Sequence, residues 1–190
     1  MSGLEIMRSA EVICSYIMKG FDMTKNCPII LCGFTSSGKT TIGKLLSERL
    51  GLPFYDTDQM LIEHYQMTIP EIFAKGGETL FRDYEHEIAR RVCTLGPSVV
   101  STGGGMLTFD RNGEILAKNG MIFYIDRPFE DCYSNLAQHP ERPLFKNHTK
   151  KEVQDMYLIR RDLYRKYAKF DIKNMGTAGE AAEKICDLLK

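Results

Sequence analysis

The 190-residue sequence has no excess of charge of either sign, because 25 lysine and arginine residues balance 25 aspartate and glutamate residues. Electrostatic binding of nucleic acid or of an anionic membrane requires a basic surface, so this balance argues against both partners. No stretch approaches the roughly 20 apolar residues that cross a bilayer, and the N-terminus lacks the features of a secretory signal peptide. We therefore expect a cytoplasmic protein with no membrane partner.

Paired cysteines and clustered histidines are also missing. The six cysteines include no C-x-x-C pair, and the four histidines form no H-x-x-x-H pattern. These spacings argue against a disulfide framework and against a structural zinc site. A chain of this length buries roughly 70% of the surface that its unfolded state exposes, so neither device is needed for folding.

The chain divides into two regions of different pattern. Residues 1–26 form an N-terminal extension, of which the first 22 are amphipathic and precede an internal Met23; a docking helix, an upstream start and no role at all are the open interpretations. Residues 27–190 alternate apolar runs with helical periodicity, which is typical of a parallel sheet with helices on its faces. We therefore predict an α/β domain that follows the extension.

Apolar runs and capping signals place the elements of this domain. The predicted strands are Ile29–Cys32, Pro53–Tyr55, Val99–Ser101, Met121–Ile125 and Phe170–Ile172. The predicted helices are Lys39–Leu50, Gln59–Gln66, a helix capped by Thr68 and broken at Gly76–Gly77, Thr79–Thr94, Asp110–Lys118, and two helices that begin after Thr149 and Thr177. The polar segment 138–150 contains two prolines, so we expect a mobile lid over about residues 130–150.

A phosphate-binding motif directly follows the first predicted strand. Residues 33–40 read G-F-T-S-S-G-K-T and match G-x-x-x-x-G-K-[ST] at every fixed position. In this motif backbone N–H groups face a polyphosphate, the lysine reaches the β- and γ-phosphates, and the threonine hydroxyl ligates Mg²⁺. The strand before the motif and the helix after it favour this interpretation over an ordinary glycine- and serine-rich turn.

Two carboxylates follow the second predicted strand. Asp56 and Asp58 would point the same way on an extended segment, at the carboxyl edge of the sheet where open α/β sheets bind ligands. One carboxylate would hold metal-bound water, and the other would receive a hydroxyl group. A solvated acidic turn is the alternative interpretation.

Basic and glycine residues complete the set of candidates. Arg82 and Glu85 lie three residues apart on a predicted helix, so the carboxylate can fix the guanidinium for anion binding. Gly103–Gly105 follows the third strand, where three residues without side chains indicate close approach of a ligand or of another segment. Arg142 lies in the predicted lid and Arg160 on the long helix. The alternative interpretations are an exposed ion pair for Arg82 and Glu85, a flexible turn for the glycines, and ordinary surface charges for Arg142 and Arg160.

At these spacings the motifs together resemble the shikimate kinase family from about residue 28 to the C-terminus. The resemblance implies a nucleoside-monophosphate-kinase type of P-loop fold, with a five-stranded parallel sheet and a mobile lid. It implies transfer of the γ-phosphoryl group of ATP to the 3-hydroxyl of shikimate, with Mg²⁺ as cofactor, in aromatic amino acid (chorismate) biosynthesis. We expect ATP and shikimate as binding partners, and a monomer.

The resemblance also implies roles for residues at matching motif positions. The catalytic set would be Lys39, Asp58 and the lid residue Arg142. The ATP-binding set would be Gly33, Ser36, Ser37, Gly38, Lys39, Thr40, Thr41 and Arg142. The shikimate-binding set would be Asp58, Arg82, Glu85, Gly103, Gly104, Gly105 and Arg160, and the metal ligands would be Thr40 and Asp56. In this scheme Arg82 and Arg160 clamp the shikimate carboxylate, and Glu85 braces Arg82.

Three positions depart from the family pattern. Ser36 replaces a glycine that is common in the family loop, and Asn135 replaces an arginine that stacks on adenine in many members. The segment 173–176 lacks a proline expected on the adenine side. None of the three touches the expected acceptor site.

Other functions remain as alternatives. A gluconate-type kinase or another small hydroxy-acid kinase would use the same fold and a similar carboxylate clamp. The triple glycine and the spacing from D-x-D to F-R-x-x-E favour a compact ring as acceptor. A non-catalytic nucleotide-binding regulator would account for Asn135 and the N-terminal extension. A nucleic-acid-dependent NTPase is disfavoured by the neutral charge. In addition, no predicted strand is an apolar run that ends in aspartate, the pattern typical of motor NTPases.

Overall fold

The computed structural model describes residues 27–138 and 148–190. The predicted N-terminal extension, residues 1–26, lies outside the described residues, as does Arg142 with much of the predicted lid. The strands are β1 (Ile29–Cys32), β2 (Phe54–Asp56), β3 (Val99–Ser101), β4 (Met121–Asp126) and β5 (Phe170–Lys173). The helices are α1 (Lys39–Leu50), α2 (Thr57–Tyr65), α3 (Ile69–Val92), α4 (Asp110–Asn119), α5 (Phe129–Ala137), α6 (Lys150–Tyr167) and α7 (Ala178–Leu188), with a short 3₁₀ helix at Met106–Thr108.

The strands form one sheet in the order β2-β3-β1-β4-β5. Every neighbouring pair is parallel, with Ile30 opposite Val100 on one side and opposite Ile122 on the other. Parallel strands require crossover connections, which the helices supply. The predicted five-stranded parallel sheet is confirmed.

The core lies on both faces of this sheet. Alternate residues of β1 point to opposite faces, so Ile30 and Cys32 pack with α2 to α6, whereas Ile29 and Leu31 pack with α1 and α7. All four side chains are at most 2% exposed. A central strand that is apolar at every position is thus explained by burial on both sides, as is typical of parallel sheets.

Three strand boundaries differ from the sequence prediction. Strand β2 is Phe54–Asp56 rather than Pro53–Tyr55, β4 includes Asp126, and β5 includes Lys173. The prediction that no strand has an apolar run ending in aspartate was therefore wrong. The Asp126 carboxylate nevertheless accepts hydrogen bonds from Tyr124 and Arg165, at 3.0 and 3.2 Å, rather than from the phosphate-binding loop.

Helix α3 has the predicted break in its middle. Gly76 and Gly77 have non-helical backbone angles, with φ of 64° and ψ of −159° at Gly77. Thr68 caps the N-terminus of this helix in a reciprocal box with Glu71, and the equivalent boxes predicted after Thr149 and Thr177 are also present. The kink starts a second helical half at Glu78, which carries Arg82 and Glu85. No helix among the described residues is long and apolar enough to cross a membrane.

Candidate active site

The carboxyl ends of β1 to β4 surround a cleft of about 510 Å³, a size typical of small-ligand sites. The cleft lies where the strand order reverses about β1, as ligand sites of open α/β sheets do. Its lining consists of Thr35, Ser36, Gly38, Lys39, Thr40, Thr41, Asp56, Asp58, Thr102, Gly103, Gly104, Arg127, Asn135 and Gln138.

The loop between β1 and α1 holds Lys39 in a buried position. The Lys39 side chain donates from Nζ to the carbonyl oxygen of Phe34 at 2.8 Å, and the residue is only 8% exposed. Burial lowers the pKa of Lys39 to about 8, although the carboxylate of Asp58 opposes this shift. A lysine held beside loop N–H groups and α1's N-terminus is suited to bind a polyphosphate.

The other loop residues include two with a left-handed backbone and a serine that is buried. Ser36 has a left-handed backbone with φ of 62°, and Gly38 has φ of 97°. Gly33 and Ser37 are behind the cleft surface. Ser37 is fully buried, its Oγ has no hydrogen-bond partner among the described residues, and its carbonyl accepts a hydrogen bond from Asn174 at 2.9 Å.

Three oxygen-bearing side chains meet at the start of α1. The Thr40 hydroxyl donates to Asp56 Oδ2 at 3.1 Å and lies 3.4 Å from the Ser101 hydroxyl. Hydroxyl and carboxylate oxygens are the ligand types that Mg²⁺ prefers, and Mg²⁺ usually retains several waters beside one or two protein ligands. The donor set therefore fits Mg²⁺. Among the described residues, no group of three or more His, Cys, Asp or Glu side chains could hold a metal ion.

Asp58 lies on a helix, not on the extended segment predicted. Asp56 ends β2 and caps α2, accepting a hydrogen bond from the backbone N–H of Asp58 at 3.1 Å. Because Thr57 is the first helical residue, the two carboxylates do not share the alternation of a strand. The structure instead turns Asp58 toward β3, where a Cβ built on Gly103 would lie 2.5 Å from its Oδ1.

The triple glycine makes room for functional side chains. A Cβ at Gly105 would collide with the Arg82 guanidinium, just as one at Gly103 would collide with Asp58. The Gly103 N–H donates to the Thr57 hydroxyl at 2.9 Å, which ties β3 to the start of α2. The sequence predicted that either a ligand or another chain segment approaches these glycines closely. At Gly103 and Gly105 it is another chain segment.

Arg82 is buried in α3 between two carboxylates. Its Nη1 donates to Glu85 at 2.8 Å, while Nε and Nη2 donate to Glu78 Oε1 at 3.1 and 2.9 Å. Glu85's side chain is 3% exposed and Glu78's 65% exposed. Burial lowers the pKa of Arg82, but the two carboxylates outweigh it and the net pKa is raised. Burial raises the pKa of Glu85, and Arg82 opposes that shift.

The middle glycine of the triplet, Gly104, faces α6. The Gly104 carbonyl accepts a hydrogen bond from the Tyr164 hydroxyl at 2.5 Å and a longer one from Arg160 Nη1 at 3.5 Å. The Arg160 guanidinium lies 6.0 Å from the centre of the Phe34 ring. Helix α6 therefore places a second guanidinium beside the Gly103–Gly105 segment.

Comparison with known proteins identifies the family. The family model described as Shikimate kinase matches residues 35–190. The chain belongs to the shikimate kinase family. Curated shikimate kinases of Caldicellulosiruptor bescii and Staphylococcus aureus are 39% and 34% identical to it, over 84% and 86% of this chain and 94% of each relative.

Solved structures of the shikimate kinase family share the fold. The shikimate kinase of Acinetobacter baumannii in complex with shikimate superposes with a TM-score of 0.81 and 34% identity, covering 86% of this chain and 92% of that chain. The Aquifex aeolicus enzyme superposes with a TM-score of 0.74 and 34% identity, over 83% and 93% of the two chains. A gluconokinase of Sinorhizobium meliloti shares the fold at 13% identity and a TM-score of 0.57, over 86% and 91% of the chains.

Membership of the shikimate kinase family confirms several predictions. The chain is a kinase, a transferase that uses ATP, and it serves the shikimate pathway. The roles of individual residues are a separate question. Among the residues predicted for the site, the cleft lining includes Ser36, Gly38, Lys39, Thr40, Thr41, Asp56, Asp58, Gly103 and Gly104. It does not include Gly33, Ser37, Arg82, Glu85, Gly105 and Arg160.

Glu78, Tyr164 and Arg127 are among the residues at this shikimate kinase site that were not predicted from the sequence. Glu78 lies one helical turn before Arg82, and this i, i+4 spacing was a signal that could have indicated its contact. Tyr164 touches Gly104, which is 60 residues earlier, so no local pattern indicated the pairing. Arg127 directly follows β4 and lines the cleft, a position that the strand prediction could have revealed.

Proposed function

We propose that this shikimate kinase family member transfers the γ-phosphoryl group of ATP to the 3-hydroxyl of shikimate, giving shikimate 3-phosphate and ADP. The observation that carries the proposal is the position of Asp58. Its carboxylate lies against Gly103 in the same cleft as the phosphate-binding loop, close enough to Lys39 to oppose the depression of the lysine pKa. A carboxylate beside the phosphate-binding lysine is placed to receive an acceptor hydroxyl. Residues 27–190 would form the kinase domain.

The loop would hold the phosphates. Lys39 would leave the Phe34 carbonyl and contact the transferred phosphoryl group, where its charge offsets the negative charge of the transition state. Backbone N–H groups from Gly33 to Thr41 would bind the remaining phosphate oxygens. Arg142, which lies outside the described residues, would add a second positive charge from the lid.

Thr40 and Asp56 would hold Mg²⁺, directly for the hydroxyl and through water for the carboxylate. When bound, the ion would supply positive charge that offsets the negative charge of the phosphate chain. The hydroxyl and the carboxylate are already hydrogen-bonded to each other at 3.1 Å, so little rearrangement is needed to present oxygen ligands. Asp56 also caps α2, which fixes the backbone on which Asp58 lies.

The acceptor side would recognise a carboxylate and a ring. Arg82 and Arg160 would bind the shikimate carboxylate, because a guanidinium matches a carboxylate in geometry and charge. Glu85 would keep Arg82 in position through its buried ion pair at 2.8 Å. The backbone of Gly103–Gly105 would line the ring hydroxyls. Asp58 would orient the 3-hydroxyl and accept its proton as the phosphoryl group is transferred.

This proposal is tested by ADP release from Mg·ATP with shikimate, quinate or gluconate as acceptor. We expect turnover with shikimate, loss of turnover with EDTA, and recovery on adding excess Mg²⁺. Lys39→Ala should lower shikimate turnover about a hundredfold or more, which corresponds to roughly 3 kcal/mol. Turnover with gluconate alone would overturn the acceptor. Binding of ATP without turnover on any acceptor would favour a nucleotide-binding regulator.

A further inference from the structure

We propose that Arg127 is a nucleotide-binding residue that donates hydrogen bonds to the phosphate chain of the phosphoryl donor. The proposal rests on the function proposed above and adds a residue to its donor side. Arg127 lies between Asp126, the last residue of β4, and Pro128, the N-cap of α5. It lines the same cleft as the phosphate-binding loop.

The topology puts Arg127 on the donor side of that loop. The acceptor residues Asp58 and Gly103 follow β2 and β3, which lie to one side of β1 in the sheet. Strand β4 pairs with β1 on the other side, so Arg127 and the acceptor residues flank the phosphate-binding loop from opposite directions. A donor held on the loop has its phosphoryl end toward the acceptor, and the rest of its phosphate chain extends toward β4.

The backbone of Arg127 is fixed. Its carbonyl oxygen accepts a hydrogen bond from the buried Tyr157 hydroxyl at 2.9 Å and a weak one from the Cys132 thiol at 3.8 Å. Pro128 restricts the peptide that follows. The base of the side chain is therefore held in one place, and a guanidinium on a fixed base loses less entropy on binding an anion.

The guanidinium itself is incompletely paired. Arg127 Nε is buried and has no hydrogen-bond partner among residues 27–138 and 148–190. The carboxylate of Asp131 is 3.6 Å away, beyond hydrogen-bond distance, although close enough for a weak ion pair. Arg82 differs, since three of its nitrogens donate to carboxylates at 3.1 Å or less.

A buried N–H group without an acceptor is costly, and the cost is removed when a ligand supplies one. The polyphosphate expected in this cleft supplies several anionic oxygens, which arginine binds strongly. Asp131 would then serve to hold the guanidinium near the cleft until the nucleotide binds. Arg127 would thus contribute to nucleotide affinity and not to shikimate affinity.

Calorimetric titration of the full chain with adenosine, AMP, ADP, inorganic triphosphate and shikimate tests this assignment without turnover. For Arg127→Ala we expect Kd for ADP and triphosphate to rise about tenfold or more, with adenosine and shikimate within about twofold of wild type. Arg127→Lys keeps the charge on a long side chain and should lose less. Arg161→Ala is the matched control, because Arg161 pairs with its neighbour Asp162 and is not part of the cleft lining.

Unchanged Kd for ADP and triphosphate in Arg127→Ala would overturn the proposal. An equal loss for adenosine would also overturn it, because the contact would then be to the base or ribose. Thermal melting of each variant separates lost binding from lost folding, and Arg127→Lys provides the comparison if Arg127→Ala does not fold. The outcome is independent of the acceptor: a wild-type chain that binds ADP through Arg127 but does not phosphorylate shikimate would contradict only the proposed function.

Discussion

At the scale of single residues, the site depends on side chains that are held by their neighbours before any ligand binds. Arg82 is the clearest case, since Glu85 and Glu78 together occupy its Nε, Nη1 and Nη2 donors. The buried Glu85 fixes the guanidinium, whereas the exposed Glu78 can be replaced by water or by a ligand carboxylate. Such preorganisation lowers the entropic cost of binding the acceptor.

Arg82→Lys should damage acceptor binding selectively. A lysine has one compact ammonium group and cannot present the planar donor set that Arg82 offers to a carboxylate. We expect the KM for shikimate to rise about tenfold or more, with the KM for ATP within about twofold. Steady-state kinetics with each substrate varied in turn gives both values. Arg161→Lys is the control, and equal effects on both substrates would count against the assignment.

Gly103→Ala tests the close approach of β3's end to Asp58. The added methyl group would lie 2.5 Å from Asp58 Oδ1, so either the carboxylate or the loop must move. We expect kcat to fall about tenfold or more, because a small displacement of the acceptor group weakens its alignment. Gly179→Ala, whose Cβ would meet nothing closer than 3.7 Å, should leave kcat unchanged. Normal kcat in Gly103→Ala would show that the position of Asp58 is not critical.

Ser36→Gly tests the strain in the phosphate-binding loop. Ser36 has φ of 62°, a conformation that costs a residue with a side chain about 1–2 kcal/mol relative to glycine. Glycine also has greater backbone entropy in the unfolded state, which offsets part of this gain. We therefore expect the free energy of unfolding to rise by about 1 kcal/mol. Ser36→Ala keeps the strained backbone and should bring no gain. A similar gain in both variants, measured by urea unfolding, would contradict this explanation.

At the scale of elements, the kink in α3 positions Arg82 and Glu85, which we propose for the acceptor side. Gly77 has φ of 64° and ψ of −159°, which residues with a Cβ rarely adopt. The break lets a second helical half start at Glu78, one turn before Arg82. Residues 69–75 and residues 78–92 can therefore point in different directions while remaining one continuous segment.

Gly77→Ala should cost stability through the backbone alone. A Cβ at Gly77 has no heavy atom within 4 Å, so steric overlap with neighbours is not the cause. We expect the free energy of unfolding to fall by about 1–3 kcal/mol. Gly179→Ala lies inside α7 and should instead raise it by about 0.5–1 kcal/mol through helix propensity. If chemical denaturation shows both variants more stable than wild type, the kink does not require glycine at this position.

Most elements could be predicted because their signals are local. The apolar run Ile29–Cys32, the loop after it and the box from Thr68 to Glu71 each depend on residues a few positions apart. The short strand β2 was less predictable, because three residues show no clear periodicity, and the prediction missed the turn into a helix before Asp58. Contacts between distant segments, such as Tyr164 with Gly104, have no local signal at all.

At the scale of the whole molecule, the sheet brings two half-sites to one edge. Strands β2 and β3 lead to Asp58 and Gly103, which we propose for the acceptor side, β1 leads to the phosphate-binding loop, and β4 leads to Arg127. Helices α3 and α6 supply Arg82 and Arg160 from the same face of the sheet. In this proposal donor and acceptor meet in one cleft, although the residues that would bind them come from segments more than 100 residues apart.

We propose above that Asp58 receives the shikimate 3-hydroxyl beside the phosphate-binding loop. This role is tested by NMR detection of phosphorus and protons in the product formed from Mg·ATP and shikimate, with wild type and Asp58→Asn compared at equal concentration. We predict one product, phosphorylated at the 3-hydroxyl, formed at least about a hundredfold more slowly by the variant, which keeps its fold and its affinity for ADP. Phosphate on a different hydroxyl, or an undiminished rate in Asp58→Asn, would contradict the claim.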